Sequence, residues 1–445
     1  MKLNLKVLME WSFLAFVFCI PFQIQLLAFQ GASYQTGLFN PFVSFFLYLS
    51  DLFLFTAVFL FGLSVYFQKI KMRILTSKQR FINFLLVLLL IVVELSFLFS
   101  LDMATSFWFL LRMIEFFLFY LLYQWGIVDF NKLLKVFLWS VFFQAILAIS
   151  QYVFQQSIGL SFLGEPLLGT NVIGLAKIGY AGEAIIRPYG TFVHPNVLSA
   201  YVLVGFFFCL FLWKKKPVFY TVLGICFFIA LILAFSRGAW LAMAFSLLFY
   251  FSATNKKIPF LNLILGASAV LLVVVLFNLA PALQDFVLNR AGIGERLALL
   301  NTAKNVFVAH PFGIGVGNFT LFMQEFVSAK VMPWDVQPVH NLFLLLAVEG
   351  GFLLLGVFVA LFVQIFRDVY DLYSKFKRRM FAGLVLSLWA CILVLSLFDH
   401  YFWTLYQGQF LFWFFLLTVS HYLEVESTST QIEHFVDDPL KIPLQ

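Results

Sequence analysis

PNVLSAYVLVGFFFCLFLWKKKPVFYTVLGICFFIALILAFSRGAWLAMAFSLLFYFS, residues 195–252, is the stretch whose reading decides the fold. Two apolar runs, 195–213 and 217–235, are split only by Lys214, Lys215 and Lys216, and a third, 237–252, follows Ser236-Arg237-Gly238. Each run is close to the ~20 residues that a helix needs to cross the hydrocarbon core of a bilayer. Peptide groups in lipid find no water to bond, so runs of this kind read as helices. The pattern holds over the whole chain: of 445 residues 63% are hydrophobic and 11% charged, which excludes an ordinary soluble domain. About twelve spans are expected, at 9–29, 41–67, 81–100, 105–124, 133–154, 195–213, 217–235, 237–252, 258–280, 340–366, 380–399 and 408–423. The fold class is an all-α polytopic membrane protein.

Charge fixes the orientation. With the N-terminus inside, alternate loops gather Lys69, Lys71, Arg73, Lys78 and Arg80, then Lys132 and Lys135, the lysine triplet, Lys256 and Lys257, and Arg367 to Arg379. The short loops between them are almost free of charge. Excess Lys and Arg marks the cytoplasmic side. Both termini are therefore expected in the cytoplasm of a bacterial cytoplasmic membrane, and the net charge of +7 reads as topology rather than as a nucleic-acid footprint. Lys2 and Lys6 precede the first apolar run without a small-x-small cleavage site, so that run is expected to stay as a helix. Cys19, Cys209, Cys226 and Cys391 all fall inside apolar runs and carry no metal-type spacing.

The same orientation puts Arg187, Arg237 and His340 at span ends on the opposite, non-cytoplasmic face. Basic residues kept on that face point to an anion handled there. Two planar guanidinium forks suit the oxygens of a diphosphate. A histidine near neutrality suits removal of a proton from a hydroxyl, although spacing does not choose among His340, His194, His310 and His400. Two outer segments are long. Residues 281–339 hold a helical pattern from Glu295 to Ala309, expected to lie amphipathically at the interface, then His310-Pro311 and a turn at Gly313, Gly315 and Gly317. Within the membrane Glu94 and Arg112 are expected to pair across a hairpin, with Glu115 sharing the pairing, while Asp51 and Glu349 have no partner legible in sequence. The expected organisation is N-terminal helices over 1–154, a core over 155–366 that includes the outer loop, C-terminal helices over 367–423 and a polar, flexible cytoplasmic tail over 424–445.

Four short elements in order resemble the O-antigen ligase/polymerase superfamily: Arg187-Pro188-Tyr189-Gly190-Thr191-Phe192 leading to Pro195-Asn196; Ser236-Arg237-Gly238; His310-Pro311-Phe312-Gly313-Ile314-Gly315 with Gly317-Asn318-Phe319; and His340-Asn341 followed by Glu349-Gly350. The resemblance implies a fold related to the large membrane glycosyltransferases, with the long outer loop covering the site. It implies transfer of a glycan from an undecaprenyl-diphosphate carrier to an acceptor hydroxyl, on lipid A core or another glycan or lipid, without a metal or other cofactor. Arg187 and Arg237 match the arginines assigned to the diphosphate, His340 matches the histidine assigned to the acceptor, and His310 reads as structural. Arg296, Asn341, Glu349, His194 and Arg112 are candidates for supporting roles. No Asp-x-Asp motif for a metal lies near that face. The acceptor stays open between ligase, polymerase and protein-glycosylating relatives. A flippase of lipid-linked sugars is the competing class, disfavoured because the charges gather at one face and no internal repeat is seen.

Overall fold

The computed structural model describes residues 5–34, 39–67, 73–180, 183–254, 290–326, 336–375 and 379–437. They form fourteen α-helices and two small hairpins. The first five helices are α1 (Leu5–Cys19), α2 (Leu49–Tyr66), α3 (Ser77–Leu95), α4 (Met103–Gln124) and α5 (Phe130–Phe154). Next come α6 (Pro195–Leu212), α7 (Pro217–Leu233), α8 (Arg237–Thr254), α9 (Arg290–Ala309) and α10 (Phe319–Phe326). The chain continues through α11 (Leu342–Lys375), α12 (Arg379–Phe398), the single turn α13 (Tyr401–Thr404) and α14 (Tyr406–Asp437). Strands β1 (Gln25–Phe29) and β2 (Phe45–Tyr48) pair antiparallel, as do β3 (Lys177–Tyr180) and β4 (Glu183–Ile186).

Helix starts follow local chemistry. Thr76 and Gln79 exchange side-chain and backbone bonds in a capping box that opens α3. Asp102 and Asp129 cap α4 and α5 through the same free amides. One continuous apolar core joins the bundle, with α12 on α8, α1 on α2, α6 on α7 and α11 on α3. Outside it, large apolar side chains such as Phe59, Phe84 and Val222 stand exposed on the helices. A belt of this kind is what a lipid-facing surface requires. The protein is a multi-pass membrane protein.

Seven helices among the described residues are long and apolar enough to cross a membrane: α2 to α6, α11 and α12. That is fewer than the expected spans, and the differences have causes. The apolar run 9–29 does not stay helical: α1 stops at Cys19, just before Pro21, and residues 25–29 become β1. The run 41–67 likewise begins as β2, and α2 starts only at Leu49. Hydropathy alone cannot separate a short apolar strand from a helix end. At ~1.5 Å per residue the 15 residues of α1 reach about 22 Å, short of a full hydrocarbon core. The tail expected to be flexible instead continues α14 as far as Asp437. Span 258–280, the loop segments 281–289 and 327–335, and the last eight positions, 438–445, lie outside the described residues.

The expected Glu94–Arg112 pair is not formed; Glu94 lies on the exposed face of α3. Equal depth in a hairpin fixes height along a helix but not the direction a side chain faces. Arg112 instead lies 3.0 Å from Asp51, bonds Glu115 one turn on, and donates to the Phe46 carbonyl at 2.6 Å. Tyr406 donates to the other Asp51 oxygen at 2.5 Å, and its ring lies under the guanidinium at 4.6 Å. Breaking a buried ion pair from one side leaves an uncompensated charge, at a cost of ~3–5 kcal/mol. Arg112→Met should therefore sharply lower the thermal unfolding midpoint in detergent, whereas Glu94→Gln should leave it unchanged. Equal midpoints for the two variants would contradict this pairing.

Candidate functional site

The site grows from the loop between β4 and α6. Arg187 follows β4, and its backbone amide donates to the Ala176 carbonyl at 3.1 Å. Two buried glutamines of α5 hold the next residues. Gln151 accepts from Tyr189 and Gly190 amides at 3.0 and 2.8 Å and donates to the Gly190 carbonyl at 2.9 Å. Gln144 accepts from the Thr191 amide at 2.9 Å. Gly190 has φ +61°, and a Cβ there would lie 2.6 Å from the Gln144 oxygen, so only glycine fits.

Arg187 is thereby aimed at the turn between α7 and α8. Its Nε donates to the Ala234 carbonyl at 2.8 Å and its Nη2 to Asn196 Oδ1 at 2.7 Å. Asn196 Nδ2 in turn donates to Asp399 Oδ2 at 2.8 Å. The turn contains Phe235 at φ +47°, a left-handed conformation uncommon for a bulky residue, and Arg237 opens α8 immediately after it. Burial, joined by the charges of Arg296 and Arg237, pushes the Arg187 guanidinium down to about 10, which still leaves it charged at neutral pH.

Arg237 and Arg296 line a small cavity with Ser236, Asn196, Asp399 and Tyr401. Arg296 arrives on α9, the helix expected from the Glu295–Ala309 pattern, which buries Ala303 and Val306 and packs on α11. Arg187 lines neither this cavity nor its larger neighbour; it stands behind Asn196. The larger cavity, about 510 Å³, shares Asn196, Asp399 and Tyr401 with the first and adds His194, His340 and His400, with Arg112 also in its wall.

The histidines now separate. His310 is exposed, packs edge-on to Phe322 at 5.4 Å and lines neither cavity. His194 caps α6, its Nδ1 accepting from the Asn196 amide at 3.1 Å. Burial and the neighbouring Arg187 push it down to about 3, so it stays neutral. His400 Nδ1 is hydrogen-bonded to Thr404 Oγ1 at 2.6 Å, and burial likewise pushes it down to about 3. His340 differs, for its Nδ1 is buried with no partner. Its ring stands 5.2 Å from that of His400, and burial lowers its pKa against the opposing pull of Asp399. Asp399 is held below the usual carboxylate range; burial would raise it, but His400, His340 and His194 and the Asn196 bond outweigh that.

His340, Asp399 and His400 offer ligand atoms all within 4.8 Å of one another, the only such group among the described residues that could hold a metal ion. Arg296 opposes a cation there, since its charge already depresses both histidines. Asn341 caps α11 through the Leu344 amide and donates to the Leu397 carbonyl, which fixes His340 beside Asp399. Glu349 lines neither cavity; it accepts from Trp403 Nε1 at 2.9 Å and braces α13. Asp399 and His400 form a polar pair at the end of an apolar run, as Arg187, Arg237 and His340 do. That shared position is the signal that could have assigned them to the site in advance.

Residues 222–359 match the O-antigen ligase family. The chain is also similar to the ComP-specific O-oligosaccharyltransferase of Acinetobacter baylyi, at 25% identity over 262 residues, which covers 54% of this chain. The match spans 44% of that relative, less than half its length.

Gln151 alone satisfies three buried groups of the loop that carries Arg187, and each buried polar group left unbonded costs ~1–3 kcal/mol. Gln151→Leu should lower the unfolding midpoint by several degrees and expose the 183–194 segment to limited proteolysis. An unchanged cleavage pattern would mean that other contacts hold Arg187.

Proposed function

We propose that the chain is a glycosyltransferase moving a glycan from a lipid-diphosphate carrier, undecaprenyl diphosphate, to an acceptor hydroxyl at the outer face of the cytoplasmic membrane, a reading supported by its match to the O-antigen ligase family over residues 222–359. One observation carries the reading. A cavity lined by two arginines and a cavity lined by His340 share Asn196, Asp399 and Tyr401 as a common wall. An anion in the first would end where a hydroxyl in the second could reach it.

Arg237 and Arg296 hold the diphosphate, and Arg187 adds charge from behind while fixing Asn196. His340 takes the proton from the acceptor hydroxyl. The oxygen attacks the anomeric carbon, the bond from that carbon to the diphosphate breaks, and the diphosphate leaves with the electron pair. Fixed guanidinium groups stabilise the charge that gathers there, as preorganised donors do in a water-poor site, and no metal is required. Asp399 stabilises the imidazolium that forms and His400 packs the ring in place. The acceptor is a glycan or a glycolipid such as lipid A core, which covers both ligation and polymerisation. A protein hydroxyl is the second reading, favoured by the name of the Acinetobacter relative.

His340→Ala should lose about a hundredfold or more in turnover while donor affinity stays nearly intact, measured with lipid-diphosphate glycan in nanodiscs. Arg237→Lys keeps the charge but loses the fork and should weaken donor binding and transfer together. Normal transfer by Arg237→Lys, or its loss in the parent protein on adding a chelator, would overturn the metal-free diphosphate role.

The pH profile carries a sign. A base works when neutral, so activity is present above the His340 pKa and lost as pH falls through it. Burial lowers that pKa, so the acidic limb should lie below the ordinary ~6.5. Asp399 raises it, so Asp399→Asn should move the limb further towards acid and lower the plateau. A limb that moves towards alkali in Asp399→Asn would exclude His340 as the titrating base.

A further inference from the structure

The larger cavity carries more polar chemistry than proton removal requires. Three side-chain atoms of its lining are buried and have no hydrogen-bond partner: His340 Nδ1, the Tyr401 hydroxyl and Gln407 Nε2. Gln407 is 1% exposed and Tyr401 2%. Each such group costs ~1–3 kcal/mol if nothing bonds it, so three in one cavity point to a partner with several hydroxyl groups. The walls are aromatic: Trp108 is stacked on Phe45 at 4.4 Å and Tyr48 on Tyr406 at 3.9 Å. Arg112, the one arginine or lysine among the described residues of this wall, is already matched by Asp51 and Glu115.

We propose that this cavity is the seat of a sugar unit of the acceptor, bound through Trp108 and the amide of Gln407, with the attacked hydroxyl at His340. A sugar presents an apolar face of C–H groups and a rim of hydroxyls, which suits an aromatic wall with isolated donors at its edge. A serine hydroxyl would address His340 but leave Gln407 unbonded and the aromatic wall unused. The volume, about 510 Å³, falls in the ~300–1,000 Å³ of small-ligand sites and admits one or two sugar rings. Assignment to the acceptor rests on the function proposed above, because the diphosphate then fills the arginine cavity and the donor bond ends at the shared wall.

The test is saturation-transfer NMR on the full chain in nanodiscs with maltose, lactose and a serine-containing octapeptide as probes, alongside binding of inorganic diphosphate. At least one disaccharide should bind saturably, with its C–H face receiving the strongest transfer. Its affinity should fall about tenfold or more in Gln407→Leu and in Trp108→Ala and be largely kept in Trp108→Phe. Unfolding midpoints identify a variant that merely misfolds, and Gln407→Leu then carries the result. Neither inorganic diphosphate nor a short-prenyl diphosphate sugar should displace the disaccharide. Displacement by the diphosphate sugar alone would hand the seat to the donor and overturn the proposal. Peptide binding without sugar binding would also overturn it, as would sugar binding indifferent to both variants. If diphosphate binds and no sugar does, only this inference fails; if diphosphate itself does not bind, the function proposed above fails with it.

Discussion

The pair of hydrogen bonds that Arg187 donates, to the Ala234 carbonyl and to Asn196, is the constraint from which the rest of the site follows. It joins the end of β4, the turn between α7 and α8, and the first turn of α6. A partly buried guanidinium is costly without bonds, and these two, with the charge-assisted character of both, offset that cost. Once the turn is held, Arg237 has a defined origin. Once Asn196 is held, its amide fixes one Asp399 oxygen, and the His400 backbone amide takes the other at 2.9 Å. A single side chain thus aligns the arginine cavity with the histidine cavity, which explains why it does its work from behind the wall rather than in it.

The same physics governs the polar groups that lie deeper. Asp51 and Glu115 share one arginine, Tyr406 donates to Asp51, and the arginine donates to the Phe46 carbonyl as well. In the loop before β3, the buried carboxylate of Glu165 accepts from the amides of Ile158, Gly159 and Leu160 at 2.7, 2.9 and 2.6 Å, and from Gln151 at 2.9 Å. That loop is built around an anion it carries itself. Gln151 then connects it to the Arg187 segment, so the segment is rigid although it has little regular structure.

Much of this was legible in the sequence. The apolar runs gave the helices, since backbone in lipid has few alternatives. Arg187, Arg237 and His340 stood out because basic residues are rare on the face opposite the basic loops. The remainder depends on direction and distance, which one-dimensional spacing does not hold. Glu94 and Arg112 share a depth but not a facing direction. Arg187 and Arg237 read alike in sequence, yet one is a brace and the other lines a cavity. Four histidines were equivalent until their bonds set them apart. The β1–β2 hairpin was hidden because an apolar strand of four or five residues has the hydropathy of a helix end.

Arg296 shows how a residue outside the membrane helices enters the site. It rides on α9, and the chain leaving α9 passes through Gly313, Gly315 and Gly317, all at positive φ. That turn docks on α11 where α11 is kinked at Gly351: the Ile314 and Gly315 amides donate to the Val348 and Glu349 carbonyls at 3.0 and 2.9 Å, and the Phe352 amide to Pro311 at 3.1 Å. A Cβ on Gly313 would meet the Glu349 carbonyl oxygen at 2.5 Å, and one on Gly351 the Phe312 carbonyl carbon at 2.5 Å. Backbone therefore lies against backbone with no side chain between, a contact that leaves little room to slide. Since His340 lies two residues before the start of α11, the glycine turn sets the position of Arg296 relative to that histidine. The short glycine run is thus a spacer between the second arginine of the small cavity and the histidine of the larger one.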